Sequence, residues 1–592
     1  MTNDSKFDKY IVSASGNRTG AYISEIEKRI PLFEHNESAK LCSGHVYQER
    51  NATRTIPYSK IPQTNISGFP ICVSRDTNGE LQATFTEDTH ALIIGSTGSG
   101  KTTGFVLPFL NWMPLKQNKP SIVVSDPKNE LNELTVNRFI KEGYQVIWLN
   151  FQDYTVSDCW NPLTKIYRLY QKYLHVEDEV SVVEENGKKH NAFKGTVYKR
   201  QSDLDLAILK VKDGILSEVT NMIGNIANSV SPVEKTSDPY WDTISATFIR
   251  GFLWAMLEDS EPGNPNQITE DTFSFDTIVK IYDTFTDSGR GYNDNGYFSN
   301  RNPETSRAYQ LVYRNIIDLN ASTTRNCITS VFTEKIKKFR DTSIRRITCA
   351  NTIEMDSLDD GKPVAIFVSY KDEDSLHYDV ISMFLTDLYT SLIAIARRKN
   401  GKLSRPFYFL IDEFGNFPKF NDFEKVISVC RSRNIFFLLI VQSFAQLEKV
   451  YEKSTAAIIM DNLNMHIFFG SCNYETKKSF SQECGMHTVI SPISALDGAT
   501  RTVEHYEKEL VPLIPVSRLS EISDGECIIT QMRGDVLWSK IERSYICPEY
   551  ANGESTFIHR FSPIAFLDKR YAYDISFLTK SKGKAKMNLF DF

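Results

Sequence analysis

The sequence predicts an α/β protein: a mostly parallel sheet carrying a phosphate-binding loop, interrupted by a large, mainly α-helical insertion. Three observations carry that reading. Residues 92–103 read LIIGSTGSGKTT, an apolar strand running straight into three glycines, a lysine and two threonines. Short apolar runs, among them SIVVSD (121–126), QVIWLN (145–150), PVAIFVSY (363–370) and IFFLLIVQ (435–442), have the composition of strands buried on both faces of a parallel sheet. Between about Trp160 and Arg346 this rhythm stops and helical periodicity replaces it.

Residues 1–60 are polar and weakly periodic, which suits an arm. FPICVS and LQATF flank DTNGE (76–80), whose Asn78-Gly79 favours a tight turn with positive φ, so a hairpin is expected. A strand over 90–95 then leads into the loop, and a helix starts at Lys101. SIVVSD is expected beside the phosphate-loop strand, followed by a helix over 128–141. Helices are expected over 203–228, 240–258, 274–285, 303–319 and 321–339, with a hairpin around Asn186-Gly187 inside 179–200. The α/β rhythm returns with a helix over 375–398, the strand FYFLID (407–412) and a helix over 420–432. Strands near 465–470, 525–531 and 536–541 complete the sheet. The nucleotide-binding domain is thus expected in two parts, 61–163 and 347–545, around an insertion at 164–346, with a C-terminal extension over 546–592 that carries KSKGKAK (580–586).

A chain of 592 residues is too long for one ordinary core. Its 41% hydrophobic and 24% charged residues place it among soluble globular proteins. The net charge of −6 excludes a globally basic nucleic-acid binder, but a local patch could still grip DNA. Ten cysteines without a C-x-x-C pair read as reduced thiols of a cytoplasmic protein. No leader pattern and no run of about 18 apolar residues is present; GFVLPFLNWM (104–113) is shorter and reads as the helix after the loop.

Gly95, Ser96, Thr97, Gly98, Ser99, Gly100, Lys101, Thr102 and Thr103 fit the pattern G-x-x-x-x-G-K-[ST] and the residue after it. Glycines let backbone N–H groups curl round phosphate oxygens, and the helix points its positive end at them. Lys101 can reach the β- and γ-phosphates, and the Thr102 hydroxyl can ligate Mg²⁺. FYFLIDEF ends a strand in two carboxylates, of which Asp412 suits the Mg²⁺ shell and Glu413 suits activation of water. Gln442 ends the following strand, where it could read a γ-phosphate, position water, or simply close the strand. Arg431 and Arg433 lie at a helix end, where cations are favoured in any case; alternatively one of them is a finger for a neighbouring subunit's nucleotide. Asp126 and Lys128 either contact the metal shell or an adjacent subunit, or Asp126 merely caps a helix. KIKKFR (335–340) and RRKNGK (397–402) read either as solvated basic faces or as DNA contacts. The ten histidines form no metal-hydrolase pattern.

These motifs in this order resemble the TraG-like coupling proteins of conjugation and type IV secretion. SDPKNEL (125–131) is similar to that family's Asp-Pro-Lys segment, WNPL (160–163) to its entry into a helical insertion, and SDPYWDTISATFIRGFLWAML (237–257) to its acidic-Pro-aromatic-Trp helix. IDEFGNFPKF, RSRNIFFLLIVQSFAQL and MHIFFGSCNYETKKSF follow in family order, so the likeness spans roughly 88–545. The resemblance implies a RecA-like domain with an all-α domain inserted, ATP hydrolysis with Mg²⁺, hexamers on DNA, and docking of a relaxase–DNA substrate to a membrane channel. It carries phosphate and Mg²⁺ contacts to Lys101 and Thr102, the acidic pair to Asp412 and Glu413, and the glutamine after the next strand to Gln442. It carries a finger to Arg431 or Arg433. The family's N-terminal transmembrane anchor has no counterpart in residues 1–90.

The resulting expectation is an ATPase that delivers a relaxase with single-stranded DNA to a type IV secretion channel. It would be a homo-hexamer when active, with its state in isolation left open. It would be cytoplasmic and recruited to the inner face of the membrane by a separate anchoring protein, with residues 1–60 as the docking segment. Two other readings stand beside it: a DNA pump of the FtsK or HerA type, and an ATP-binding adaptor with little turnover.

Overall fold

The computed structural model describes residues 54–551 and 575, apart from 186–187, 234–237, 265, 287–293, 319–321, 372–374, 418, 421–422, 496–502 and 533–535. The expected arm up to residue 53, the turn at 186–187 and KSKGKAK lie outside the described residues. The chain divides into two compact units. One comprises the described residues up to Ile147, Met355–Ser369, and those from Tyr389 to 551; the other comprises Trp148–Glu354 and Tyr370–Leu388.

The first unit is built on a nine-stranded sheet. Its strands are β1 (Ala91–Gly95), β2 (Ser121–Asp126), β3 (Gln145–Asn150), β4 (Val364–Ser369), β5 (Phe407–Ile411), β6 (Ile435–Val441), β7 (Met465–Gly470), β8 (Glu526–Gln531) and β9 (Leu537–Lys540). The spatial order is β9-β8-β7-β1-β6-β5-β2-β4-β3. Pairing is parallel from β7 through β4 and antiparallel between β7 and β8 and between β8 and β9. Every residue of β1, β2, β4, β5 and β6 is buried, which is why these strands read as unbroken apolar runs without alternation.

The order corrects one expectation. β2 does not lie beside β1; β6 and β5 stand between them. Both intervening strands come from the far side of the helical insertion, so local sequence holds no sign of the gap. Register then brings the C-terminal ends of β1, β6 and β5 to one edge, β5 ending two residues short of β6: Ile94 faces Val441, and Leu439 faces both Leu92 and Ile411. A three-stranded antiparallel sheet (Arg54–Pro57, Pro70–Arg75, Leu81–Phe85) belongs to the same unit. Its turn has Gly79 at φ 81°, and Asp76 Oδ1 accepts from the N–H groups of Asn78 and Glu80, each at 2.8 Å. The strands Met486–Ala495 and Val503–Pro512 form a long antiparallel pair that the sequence had not suggested. Pro492 sits inside the first of them, and an internal proline argues against a strand.

The second unit is mainly helical, with Gln201–Val230, Pro239–Asp259, Phe275–Thr286 and Ser322–Ile336 as its main helices. Asp238 caps the second by accepting from Tyr240 N–H at 3.1 Å, and Pro239 occupies the first turn, where no N–H is needed. The helix expected over 303–319 is shorter, Tyr309–Ile317, and widely wound. Asn302 takes the N–H groups of Glu304 and Thr305, a side-chain turn that competes with helix over the first residues. Gly251 lets this segment approach, since a Cβ there would lie 1.9 Å from Val312 Cγ2. The expected hairpin appears as Ser181–Glu185 paired with Lys188–Phe193, extended by a third strand, Thr196–Tyr198.

Among the described residues, one segment, His377–Arg398, is long and apolar enough to cross a membrane by length and composition, and 67% of it is buried within the protein. It contains scattered polar residues, so a search for unbroken apolar runs passes over it.

Phe252 is fully buried and packs against the rings of Tyr282, Phe285, Tyr297, Phe298 and Phe332. Phe252→Ala is expected to destabilise the helical unit by about 3–5 kcal/mol through lost burial and a residual cavity. Calorimetry should show a transition moved to lower temperature; unchanged transitions would mean that this aromatic cluster does not hold the unit together.

Candidate functional site

The phosphate loop leaves the C-terminal end of β1. Ser96 N–H donates to Gly470 O at 2.9 Å, so β7 fixes the start of the loop, and Ser99 N–H closes a turn onto Ser96 O at 3.1 Å. Gly98 and Gly100 have φ of 79° and 84°, a conformation that favours glycine. At Gly95 a Cβ would meet Ser99 Oγ at 2.3 Å. The helix opens with a wide turn over Thr102–Val106, in which Leu107 N–H donates to Thr102 O, before the regular stretch Leu107–Trp112.

Lys101 folds back over the loop. Its Nζ donates to Gly95 O at 2.5 Å and Ser96 O at 3.1 Å. Burial lowers its pKa, and the charges of Asp412 and Glu413 work against that shift. Ser99 Oγ is buried without a hydrogen-bond partner. A hollow with an orphaned hydroxyl, a folded-back ammonium and glycines where side chains would collide fits an oxyanion ligand.

Asp412 and Glu413 follow β5, which lies two strand positions from the loop's own strand, with β6 between them. Glu413 has φ 55° and ψ 39°, uncommon for a glutamate, and its own N–H donates to Asp412 Oδ1 at 3.0 Å. Asn416 Nδ2 donates to Glu413 Oε2 at 2.8 Å. Gln442, at the end of β6, donates from Nε2 to both Glu413 oxygens at 3.3 Å. Gln442 is held in turn, because its N–H donates to Gln446 Oε1 at 3.0 Å. The Asp412 carboxyl is pushed up to about 6, first by burial and then by Glu413, while Lys101 pulls the other way.

Asp126 ends β2 on the same edge. It is buried, and its Oδ2 accepts from Asn132 N–H at 2.8 Å, as a cap for the helix Glu130–Lys141. Burial pushes its carboxyl up to about 7, against the helix N–H groups, and Glu130 and Asp412 add to the rise. Lys128 is exposed, and its charge helps to lower the Asp412 pKa. The edge thus brings together Gly95–Thr103, Asp412, Glu413 and Gln442, with Asp126 and Lys128 alongside.

Arg431 and Arg433 are not part of this cluster. They form a short turn before the N-terminal end of β6, eleven and nine residues ahead of Gln442, and the seven strand residues between span roughly 23 Å at about 3.3 Å per residue. Arg433 Nη1 donates to Val429 O at 2.8 Å. Arg431 lies close enough to His90, just before β1, to join burial in holding that imidazole down at about 3. Several residues of the basic runs are held in ion pairs. Lys335 meets Asp242 at 3.0 Å, Lys338 meets Asp379 at 2.7 Å, and Arg340 meets Asp283 at 2.5 Å. In the other run, Lys399 meets Asp359 at 3.0 Å and Asp360 at 2.7 Å, and Arg398 donates to Asp356 O at 2.9 Å.

Sequence reading missed Arg543. It is buried, follows β9, and lies against the outer side of the phosphate loop, donating to Gly100 O at 2.6 Å and Thr103 Oγ1 at 3.1 Å. A single arginine in IERSY, 440 residues from Thr103, carries no periodicity or spacing that would mark it.

The raised carboxyl of Asp126 predicts how stability depends on pH. The native state holds this proton up to about pH 7, whereas the unfolded chain releases it near 3.8. Its contribution is therefore complete below the unfolded value and declines as pH rises through 4 to 7. Asp126→Asn should match the wild type near pH 4 and be more stable at pH 8 by on the order of 3 kcal/mol. Urea denaturation of nucleotide-free, magnesium-free protein at several pH values measures this; a pH-independent difference would contradict it.

Comparison with known proteins places these features. A model of the family described as type IV secretory system conjugative DNA transfer matches residues 45–505. Coupling protein TraD of Escherichia coli (strain K12) is 28% identical over 106 residues, 18% of this chain and 14% of TraD. An uncharacterized protein of Bacillus anthracis is 32% identical over 98 residues, 16% of this chain and 35% of that protein. The matches therefore span well under half of these relatives. The bacterial conjugative coupling protein TrwBdeltaN70 superposes with a TM-score of 0.53 at 13% identity, covering 84% of this chain and 96% of that one. The shared fold is the RecA-like phosphate-loop domain combined with a helical domain. The family match runs unbroken from before the phosphate loop, through the helical unit, past Asp412, Glu413 and Gln442, and on that extent the chain belongs to the type IV secretory system family of conjugative DNA transfer proteins.

Proposed function

We propose that this chain is an ATP-hydrolysing coupling protein that delivers a relaxase-bound single strand of DNA to a type IV secretion channel. The observation that supports hydrolysis best is the grip of Gln442 and Asn416 on Glu413, on the same sheet edge as Lys101. TrwB structures described as complexes with ADP and Mg²⁺, and with the ATP analogue ADPNP, add support from the same fold.

In this reading the N–H groups of the loop and the Lys101 ammonium hold the phosphates. Lys101 would exchange its present carbonyl partners for phosphate oxygens, gaining charge-assisted hydrogen bonds in a desolvated place. Glu413 accepts the proton of the attacking water. Two amide donors fix its orientation, and the strained backbone at this residue fixes its direction. Thr102 and Asp412 would hold Mg²⁺, which when bound supplies positive charge to the phosphate oxygens. Burial disfavours the charged form of Asp412, so a cation beside it would be stabilising.

Arg431 and Arg433 lie too far from their own chain's loop to act there, so a finger role requires a second copy. That makes an assembly, with a hexamer as the family expectation, part of the proposal. The relaxase, the single-stranded DNA, the channel proteins and the separate anchoring protein that recruits the chain to the membrane stand on family likeness.

Lys101→Ala should abolish turnover in a folded protein. Glu413→Gln should retain ATP and lower turnover by about 100-fold or more, the usual scale for removing a general base. Measuring hydrolysis and nucleotide retention together checks both; wild-type turnover in Lys101→Ala, or equal loss of binding and hydrolysis in Glu413→Gln, would refute the assignments.

Mixing Lys101→Ala with Arg431→Ala or Arg433→Ala should restore part of the hydrolysis that each lacks alone, because each supplies what the other has lost. Mixtures with no more activity than their components would remove the finger proposal. Activity that does not respond to single-stranded DNA would count against transfer and favour an adaptor.

A further inference from the structure

Arg543 stands where no phosphate ligand would touch it, yet the loop is built round it. Its guanidinium donates to Gly100 O at 2.6 Å, Thr103 Oγ1 at 3.1 Å and Ser99 O at 3.4 Å. Its other partner is the Asp524 carboxylate, whose own side chain is 71% exposed. Two glycines make room for it. A Cβ on Gly100 would lie 1.8 Å from Nη1, and one on Gly104 would lie 2.9 Å from Nη1 and 2.9 Å from Phe469 Cε1. Thus Gly100 serves more than a turn: any side chain there would expel the guanidinium.

The backbone that carries Arg543 is itself fixed. Ile541 N–H donates to Gly525 O at 2.7 Å, and Glu542 N–H donates to Val73 O at 2.9 Å. The Glu542 carboxylate meets Arg75 at 3.4 Å, and Tyr545 Oη reaches Asp524 Oδ2 at 3.4 Å. A planar, always-charged fork held on so firm a base can hold in turn the carbonyls it contacts.

Those carbonyls govern the donors on the opposite side. In a trans peptide the C=O of one residue and the N–H of the next point in opposite directions. Holding Ser99 O, and Gly100 O together with the helix bond from Gly104 N–H at 2.8 Å, therefore turns the N–H groups of Gly100 and Lys101 away from Arg543, into the hollow of the loop. Both lie at the helix N-terminus, where anions are favoured. The guanidinium, paired with Asp524, also places a cation at the back of the cradle.

We propose that Arg543 is a positioning residue, which presets the phosphate loop for its anion by clamping the Ser99 and Gly100 carbonyls from outside. This rests on the reading of the loop as a nucleotide site. Arg543 does not touch the nucleotide. Because the clamp acts on the cradle as a whole, it serves ADP and ATP alike, unlike a residue that reads only the γ-phosphate.

The test is titration calorimetry of the full chain with ADP and with ADPNP, both in magnesium. Wild type, Arg543→Ala, Arg543→Lys and Gly104→Ala are compared, with circular dichroism to check folding. Arg543→Ala should weaken both ligands by about tenfold or more, and to a similar degree. Arg543→Lys should fall between, since an ammonium keeps the charge but cannot span the carbonyls and Thr103 Oγ1. Gly104→Ala should weaken both ligands by displacing the guanidinium without removing it. Millimolar guanidinium chloride should restore part of the affinity of Arg543→Ala and leave wild type unchanged, a rescue that mere loss of packing would not show.

If wild type binds neither ligand, the nucleotide reading itself fails. If wild type binds and Arg543→Ala binds equally well, the clamp is refuted. Unchanged ADP affinity with lost ADPNP affinity would also refute it, and would make Arg543 a γ-phosphate reader. Should Arg543→Ala not fold, Arg543→Lys and Gly104→Ala decide: wild-type affinity for ADP in both overturns the proposal.

Discussion

Parallel pairing of β1, β6 and β5 in one register is the constraint on which the rest of the site depends. Because all three strands run the same way and end within three residues of one another in register, whatever follows each of them emerges on one edge. After β1 comes the phosphate loop, after β6 comes Gln442, and after β5 come Asp412 and Glu413. A shift of one residue in any pair would exchange the side chains of two buried faces, each packed against different neighbours. The apolar composition that makes the sheet a core therefore also holds the polar cluster in place.

That cluster is electrostatically incomplete. Two carboxyls, Asp412 and Asp126, are raised toward neutrality by burial, and each is raised further by a neighbouring acid. Lys101, the nearest cation, loses part of its own preference for charge through the same burial. Such an arrangement favours whatever brings cations to the carboxylates and anions to the lysine together, which is the charge pattern of a magnesium–nucleotide complex. The backbone at Glu413 points the same way. A left-handed glutamate costs free energy, and three side chains, Asp412, Asn416 and Gln442, hold it there.

The basic runs show why charge read along a chain is a weak guide to binding. In KIKKFR and RRKNGK, Lys335, Lys338, Arg340 and Lys399 are matched to Asp242, Asp379, Asp283, Asp359 and Asp360, whereas Arg397 and Lys402 are exposed. The acids that meet Lys335, Lys338, Arg340 and Lys399 lie far away in sequence, so they cannot be seen beside the bases. Arg543 is the converse case. It looks unremarkable in IERSY, and only its three contacts with the loop reveal it.

Local sequence was enough for the strands of the main sheet, for the loop and for the two residues that follow β5, because burial on both faces demands unbroken apolar runs and a tight loop of this kind demands glycines at set intervals. The helix Pro239–Asp259 was legible for a similar reason, with Asp238 and Pro239 marking its start. The order of the strands was decided only in three dimensions. β6 and β5 enter between β1 and β2 after the insertion, and no nearby residue records that choice. The same holds for Arg431 and Arg433, which share a segment with Gln442 yet stand at the opposite end of β6. A strand has two ends, and sequence distance does not tell which end meets the site. Long-range pairing decides that, as it decides which of many arginines lies behind the loop.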